Sequence, residues 1–130
     1  MVKQVFSIEH YWKVIVYWDM DYNFFNDVEW EMKMASLKES TIQEVWKIMK
    51  KGEAKAVTCS SIENHISIVL FNTHSSATDY ISSIVHEAEH IKQAILKAYQ
   101  IDDEGEAPAY TVGYIVSQMW EVFKKILSSP

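Results

Sequence analysis

Arginine is missing from this chain, and all 12 basic residues are lysines. Set against 18 acidic residues, they leave a formal net charge of −6. Proteins that read bases and phosphates lean on arginine and on a basic stripe. Neither is present, which argues against nucleic acid as a partner. Cysteine is nearly absent as well. Cys59 on its own excludes an intrachain disulfide and any multi-cysteine metal site, and it fits a reducing compartment. Only 3 Gly and 2 Pro are found in 130 residues, too few for a disordered or fibrous chain. No apolar run approaches the ~20 residues needed to cross a bilayer. The first ten residues lack the basic-then-apolar order of a secretory signal. These absences predict a soluble cytoplasmic protein with neither membrane nor nucleic-acid partners. The hydrophobic fraction of 48% beside 23% charged residues predicts a globular domain, and the length predicts one domain spanning residues 1–130. The oligomeric state leaves no signature.

Hydrophobic periodicity outlines the elements. Residues 11–21 read as a strand, with Trp12, Val14, Val16, Trp18 and Met20 on its apolar face and a mixed face opposite. Residues 23–31 read as irregular chain or a short helical turn. Residues 36–50 carry helical spacing through Leu37, Ile42, Val45, Trp46 and Met49, and Gly52 is a plausible stop. Two extended segments, 54–59 and 65–72, predict a hairpin. Residues 78–99 form a long helix with Ile81, Ile84, Val85, Ala88, Ile91, Ile95 and Ala98 on its apolar face. An acidic break at 102–105 leads to a last helix, 106–127, where Pro108 is tolerated in the first turn. The order β–α–β–β–α–α predicts an α+β fold, a small antiparallel sheet with helices packed on it.

One motif carries chemistry. His86-Glu87-Ala88-Glu89-His90 is an H-E-x-x-H sequence inside the long helix. Residues four apart lie about 40° from one another around a helix and about 6 Å along it. Both imidazoles can therefore reach one ion at ~2.0–2.1 Å, while Glu87, turned about 100° from His86, sits beside a water on that ion. A catalytic zinc needs a third protein ligand and an open position. Glu106 follows just past the acidic break. It begins a stripe with Ala109, Tyr110 and Gly113 that continues through Val116, Trp120 and Phe123, and this stripe is expected to be the buried face of the last helix. A buried carboxylate there needs a partner, and a metal would supply one. Gly113 in mid-helix would be explained by close approach of the two helices. Glu104 is the alternative ligand, since the register of the acidic loop is open.

His86-Glu87-x-x-His90 followed by Glu106-x-x-Ala109-Tyr110-x-x-Gly113-Tyr114 resembles the small gluzincin-type zinc peptidases, in particular the short metallopeptidase-like proteins of bacteriophages and prophages. The resemblance covers roughly residues 66–115. It implies a minimal zincin-like fold, with His86, His90 and Glu106 as zinc ligands and Glu87 as the catalytic base acting on a peptide or protein substrate. Tyr110 either donates to the developing oxyanion or is a packed aromatic. The segment 65–72 would bind an extended peptide beside the metal if it is the sheet edge. Glu89, a second acid inside the motif, either competes for metal or faces solvent. Asp79 is either an acceptor for a ligand imidazole or a charge at the helix start. His10, His65 and His74 are isolated and read as surface or strand-end residues. The rival to a peptidase is a non-catalytic zinc-binding interaction or regulatory protein of phage or mobile-element origin.

Overall fold

In a computed structural model of the chain, residues 1–128 are described, so Ser129 and Pro130 lie outside them. The strands are β1 (Val2–Ile8), β2 (Trp12–Trp18), β3 (Ala56–Ser61) and β4 (Ile66–Phe71). The helices are α1 (Phe25–Met34), preceded by a 3-10 turn at Tyr22–Phe24, α2 (Glu39–Lys50), α3 (Ala77–Tyr99) and α4 (Glu106–Leu127). The strands form one sheet in the order β1-β2-β4-β3. β1 with β2 and β3 with β4 are antiparallel, but the central pair β2 and β4 is parallel, Lys13 facing Ile66 and Tyr17 facing Leu70. The α+β class therefore holds, while the sheet is mixed rather than antiparallel.

Helices cover both faces of this sheet. On one face Trp12, Val14, Val16 and Trp18 of β2 join Val69 and Phe71 of β4 beneath α3 and α4. On the other, Ile15 and Tyr17 join Ile68 and Leu70 beneath α1 and α2. A parallel central strand buried on both sides reads as near-continuous apolar sequence. This explains why the second face of β2, taken as mixed, is in fact core. It also explains α1: Phe25, Val28 and Met32 recur at helical spacing and are buried, so residues 25–31 belong to a true helix, with 23–24 in the 3-10 turn before it.

β1 has no counterpart in the predicted order. It is an edge strand whose Val2 and Val5 are exposed, so its apolar alternation is weak. Its turn gave no signal either. Glu9 and His10 hold φ of 48° and 65°, the left-handed region usually marked by Asn or Gly. The long helices match their expected ranges closely. Ser76 caps α3 by accepting the Asp79 N–H at 3.1 Å, and Gln100 ends it in a left-handed conformation.

The phase of α4 differs from the expected one. Its buried residues are Pro108, Ile115, Met119 and Phe123. Glu106, Ala109, Tyr110 and Gly113 are exposed, and a methyl group built on Gly113 would meet nothing within 4 Å. Close helix approach therefore does not explain that glycine. The stripe from Glu106 to Trp120 and the stripe actually buried are neighbours on the same helix. Val116 and Phe123 were shared evidence for either phase, and only packing against α3 decides between them.

Candidate metal and hydrolytic site

The site is set by how α3 lies on the sheet. Ile84, Ala88, Ile91 and Ile95 anchor one side of the helix in the core. That phase turns His86 and His90 outward, and both are exposed. Glu87, one step round from His86, swings toward the sheet and is only 4% exposed. Its Oε1 accepts a hydrogen bond from Thr58 Oγ1 of β3 at 2.9 Å. The two imidazoles face each other edge to face, with Nε2 to Nε2 at 3.1 Å. Two nitrogens bound at 2.0–2.1 Å on adjacent vertices of a tetrahedron stand about 3.3 Å apart. At 3.1 Å the two rings share a hydrogen bond, at a separation close to that of two nitrogens on one ion.

A groove of about 250 Å³ opens beside these residues, lined by Lys55, Ala56, Ser82, Ser83, His86 and Glu87. Lys55, one of the lining residues, pairs with Asp79 at 3.3 Å. The Ser75 hydroxyl and the Lys55 ammonium together lower the Asp79 carboxyl below its ordinary value. Asp79 also sits in the first turn of α3, so it acts at the helix start, not on an imidazole. His74 is tied down rather than isolated. Nδ1 lies 2.6 Å from the Asn72 carbonyl oxygen and Nε2 lies 2.7 Å from Ser83 Oγ. A carbonyl only accepts, so Nδ1 carries a proton, and Nε2 shares a hydrogen bond with the Ser83 hydroxyl. This clamps the β4–α3 connection onto the helix. His65 likewise stacks on Trp12 and meets the Tyr99 hydroxyl at 3.1 Å.

The other candidates fall elsewhere. Glu89 pairs with Lys92, whose ammonium also pairs with Asp103 at 2.7 Å. Asp103 and Glu89 raise the Lys92 pKa. Glu89 is therefore occupied by a cation and is not simply solvated. Glu106 and Glu104 are exposed at and before the start of α4. Among the described residues, no group of three His, Cys, Asp or Glu side chains is arranged to hold an ion, so the structure does not bring Glu106 to the histidine pair. Tyr110 is 74% exposed and lines a different groove, with Ile95 and Leu96, so it is neither a packed aromatic nor a neighbour of Glu87. The segment 65–72 is also displaced from its expected role: β4 is interior, and the edges of the sheet are β1 and β3. Thr58 was not legible beforehand, because only the pairing of β3 with β4 and the seating of α3 reveal which strand residue meets Glu87. A scan against protein-family models found no match, and neither did searches of curated proteins and of solved structures. Among the described residues, no helix is long and apolar enough to cross a membrane.

Thr58→Val keeps the shape of the strand but removes the donor to a buried carboxylate. The expected loss is about 1.5–3 kcal/mol, read as a lower urea midpoint with unchanged slope.

Ionisable groups around the sheet give a second expectation. Burial, followed by the nearby Glu87 charge, pushes the Cys59 thiol from 9.0 to about 12. Burial and the Glu31 carboxylate push Tyr17 from 10.0 to about 12, and burial and a hydrogen bond to Asp19 do the same for Tyr80. The unfolded chain releases these protons near 9 and 10, where the folded chain still holds them. Stability is therefore full below pH 9 and falls as pH rises toward 12. Urea midpoints at increasing alkaline pH check this, and a flat profile would contradict it.

Proposed function

We propose that this chain is a zinc-dependent peptidase in which His86 and His90 hold the metal and Glu87 is the general base. The observation that carries this reading is the 3.1 Å approach of the two Nε2 atoms beside a groove that Glu87 also lines. Bound zinc would acidify a water and polarise a carbonyl. The chain's own part is to hold two imidazoles in register on a well-anchored helix and to keep Glu87 at the groove. Thr58 occupies only Oε1 of that carboxylate, leaving the second oxygen to accept a proton and later deliver it to the leaving amine. An extended peptide would pair with the free edge of β3 rather than with β4. The same reading includes the minimal zincin-like fold, the likeness to phage-encoded metallopeptidase-like proteins and a cytoplasmic location.

The test is zinc loading followed by cleavage of a mixed quenched-fluorescent peptide library. Zinc at one equivalent with chelator-sensitive cleavage is the expected result. No cleavage with zinc bound favours the second reading, a non-catalytic zinc-binding protein. That reading draws on the separation of Glu106 from the histidines. Protons compete with metal for an imidazole, so loading is expected to fall on acidification.

The role of Glu106 has its own test. His86→Ala is expected to lower zinc affinity by more than the 10–100-fold that follows loss of an outer partner. Glu106→Gln is expected to leave it within about twofold, because its carboxylate stands apart. A drop comparable to that of His86→Ala, measured by competition with a chromogenic chelator, would mean that the first turn of α4 closes onto the pair.

A further inference from the structure

The largest cavity described lies at the other end of α3 and shares no residue with the groove at His86. It has a volume of about 800 Å³, within the range of ~300–1,000 Å³ typical of ligand sites. Its floor is apolar and buried: Ile8, Ile95, Leu96 and Pro108. Its walls are apolar and aromatic but exposed: Tyr11 at 37%, Ile101 at 51%, Tyr110 at 74% and Tyr114 at 41%. Two of these walls are fixed in place. The Tyr114 hydroxyl donates to the Ser7 carbonyl at 3.0 Å, and the Tyr11 ring meets Tyr99 edge to face at 5.4 Å.

Glu9 is the one carboxylate in the lining; it comes from the β1–β2 turn together with His10, and no lysine lines the cavity. In the α3–α4 connection Asp102, Glu104 and Glu106 are exposed, bracketed in the chain by the lining residues Ile101 and Ala107. Lys92 neutralises Asp103 and Glu89, yet among the described residues these four carboxylates make no ion pair. Tyrosine faces attract cations over and above the carboxylates, most strongly where water is excluded.

We propose that this cavity binds a basic segment of a partner protein, one that presents lysine or arginine side chains between apolar or aromatic ones. Apolar side chains would fill the floor over Ile95 and Leu96. The flanking cations would reach Glu9 of the lining and the acids of the adjoining 102–106 segment. Carboxylates supplied by two separate segments around a cavity of this size favour a peptide carrying more than one positive charge over a single small cation. The site stands whether or not the chain is a peptidase.

A random heptapeptide library displayed on phage would be panned against the full-length protein, with counter-selection on Tyr110→Ser. Tyr110 is solvent-facing, so this change leaves the fold intact. Enriched sequences are expected to combine lysine or arginine with aliphatic or aromatic residues. A synthetic peptide of the best sequence should lose about tenfold in affinity on Glu9→Lys, lose affinity in high salt, and bind His86→Ala unchanged. Three results would overturn the proposal: no enrichment over Tyr110→Ser, enrichment of acidic sequences, or affinity indifferent to both Glu9→Lys and Tyr110→Ser. Binding of a simple alkylammonium as tightly as the peptide would also overturn it, since the site would then recognise a lone cation.

Discussion

Replacing Glu87 with glutamine is expected to reduce peptide hydrolysis by about 10²–10⁴-fold, the usual contribution of general acid–base catalysis, while zinc stays bound. Glutamine has almost the shape of glutamate, so its side-chain carbonyl can still accept from Thr58 Oγ1. The buried position is filled and partly satisfied, so the fold is retained. What disappears is the capacity to take a proton. The carboxylate also belongs to neither imidazole, so removing its charge leaves both metal donors untouched. Glu87→Ala would be a poorer probe, because it opens a cavity and strands the Thr58 hydroxyl. Parallel measurement of zinc stoichiometry, urea midpoint and turnover separates the outcomes. Activity retained in a folded, zinc-loaded Glu87→Gln protein would remove the proposed base and with it the peptidase mechanism.

The largest effect on stability is expected at Trp18. Its side chain is fully buried. It stacks on Phe71 at 4.6 Å between ring centroids, lies 6.2 Å from Phe123, and donates its indole N–H to Gln4 Oε1 at 3.1 Å. It thus joins β1, β2, β4 and α4 around one ring. Trp18→Ala removes all of these contacts from a site that cannot collapse, because the strand positions are fixed by pairing on both sides. The expected loss is about 3–5 kcal/mol, a large share of the ~5–15 kcal/mol that holds a domain folded. Trp18→Phe keeps the stack and loses the indole donor, while Gln4 remains tied to the Gln118 carbonyl at 2.7 Å. It should cost much less. Equal losses for the two variants in urea unfolding would show that the hydrogen bond, not the ring, dominates.

Helix α3 was legible because its periodicity is long and unbroken, and the histidine spacing inside it follows from helix geometry alone. The mutual approach of His86 and His90 is accordingly where the sequence placed it. Contacts between elements were not legible. α4 carries two adjacent apolar stripes, and nothing in its sequence says which one meets α3. Glu106 and Tyr110 lie on the stripe that faces outward. β1 escaped notice because an edge strand needs only one good face and its turn uses Glu9 and His10 in place of turn-forming residues. The parallel pairing of β2 with β4 was hidden for a different reason. A strand covered on both sides loses the alternation that identifies its partner, and Ile15 and Tyr17 sit among Lys13 and Asp19 on a face whose pattern is mixed.

That parallel pairing bears on how the chain is made. Lys13 to Tyr17 find their partners only at Ile66 to Leu70, after α1, α2 and β3 have been synthesised. Until then the β1–β2 hairpin presents an open hydrogen-bonding edge, and the apolar face that α3 and α4 will cover lies bare. Ordering of the sheet must await a distant segment, a topology that slows folding and lengthens exposure to self-association. Ribosome-bound fragments ending before β4 should therefore remain protease-sensitive and adherent, and full protection should arrive only once α3 and α4, which cover the second face, have also cleared the exit tunnel.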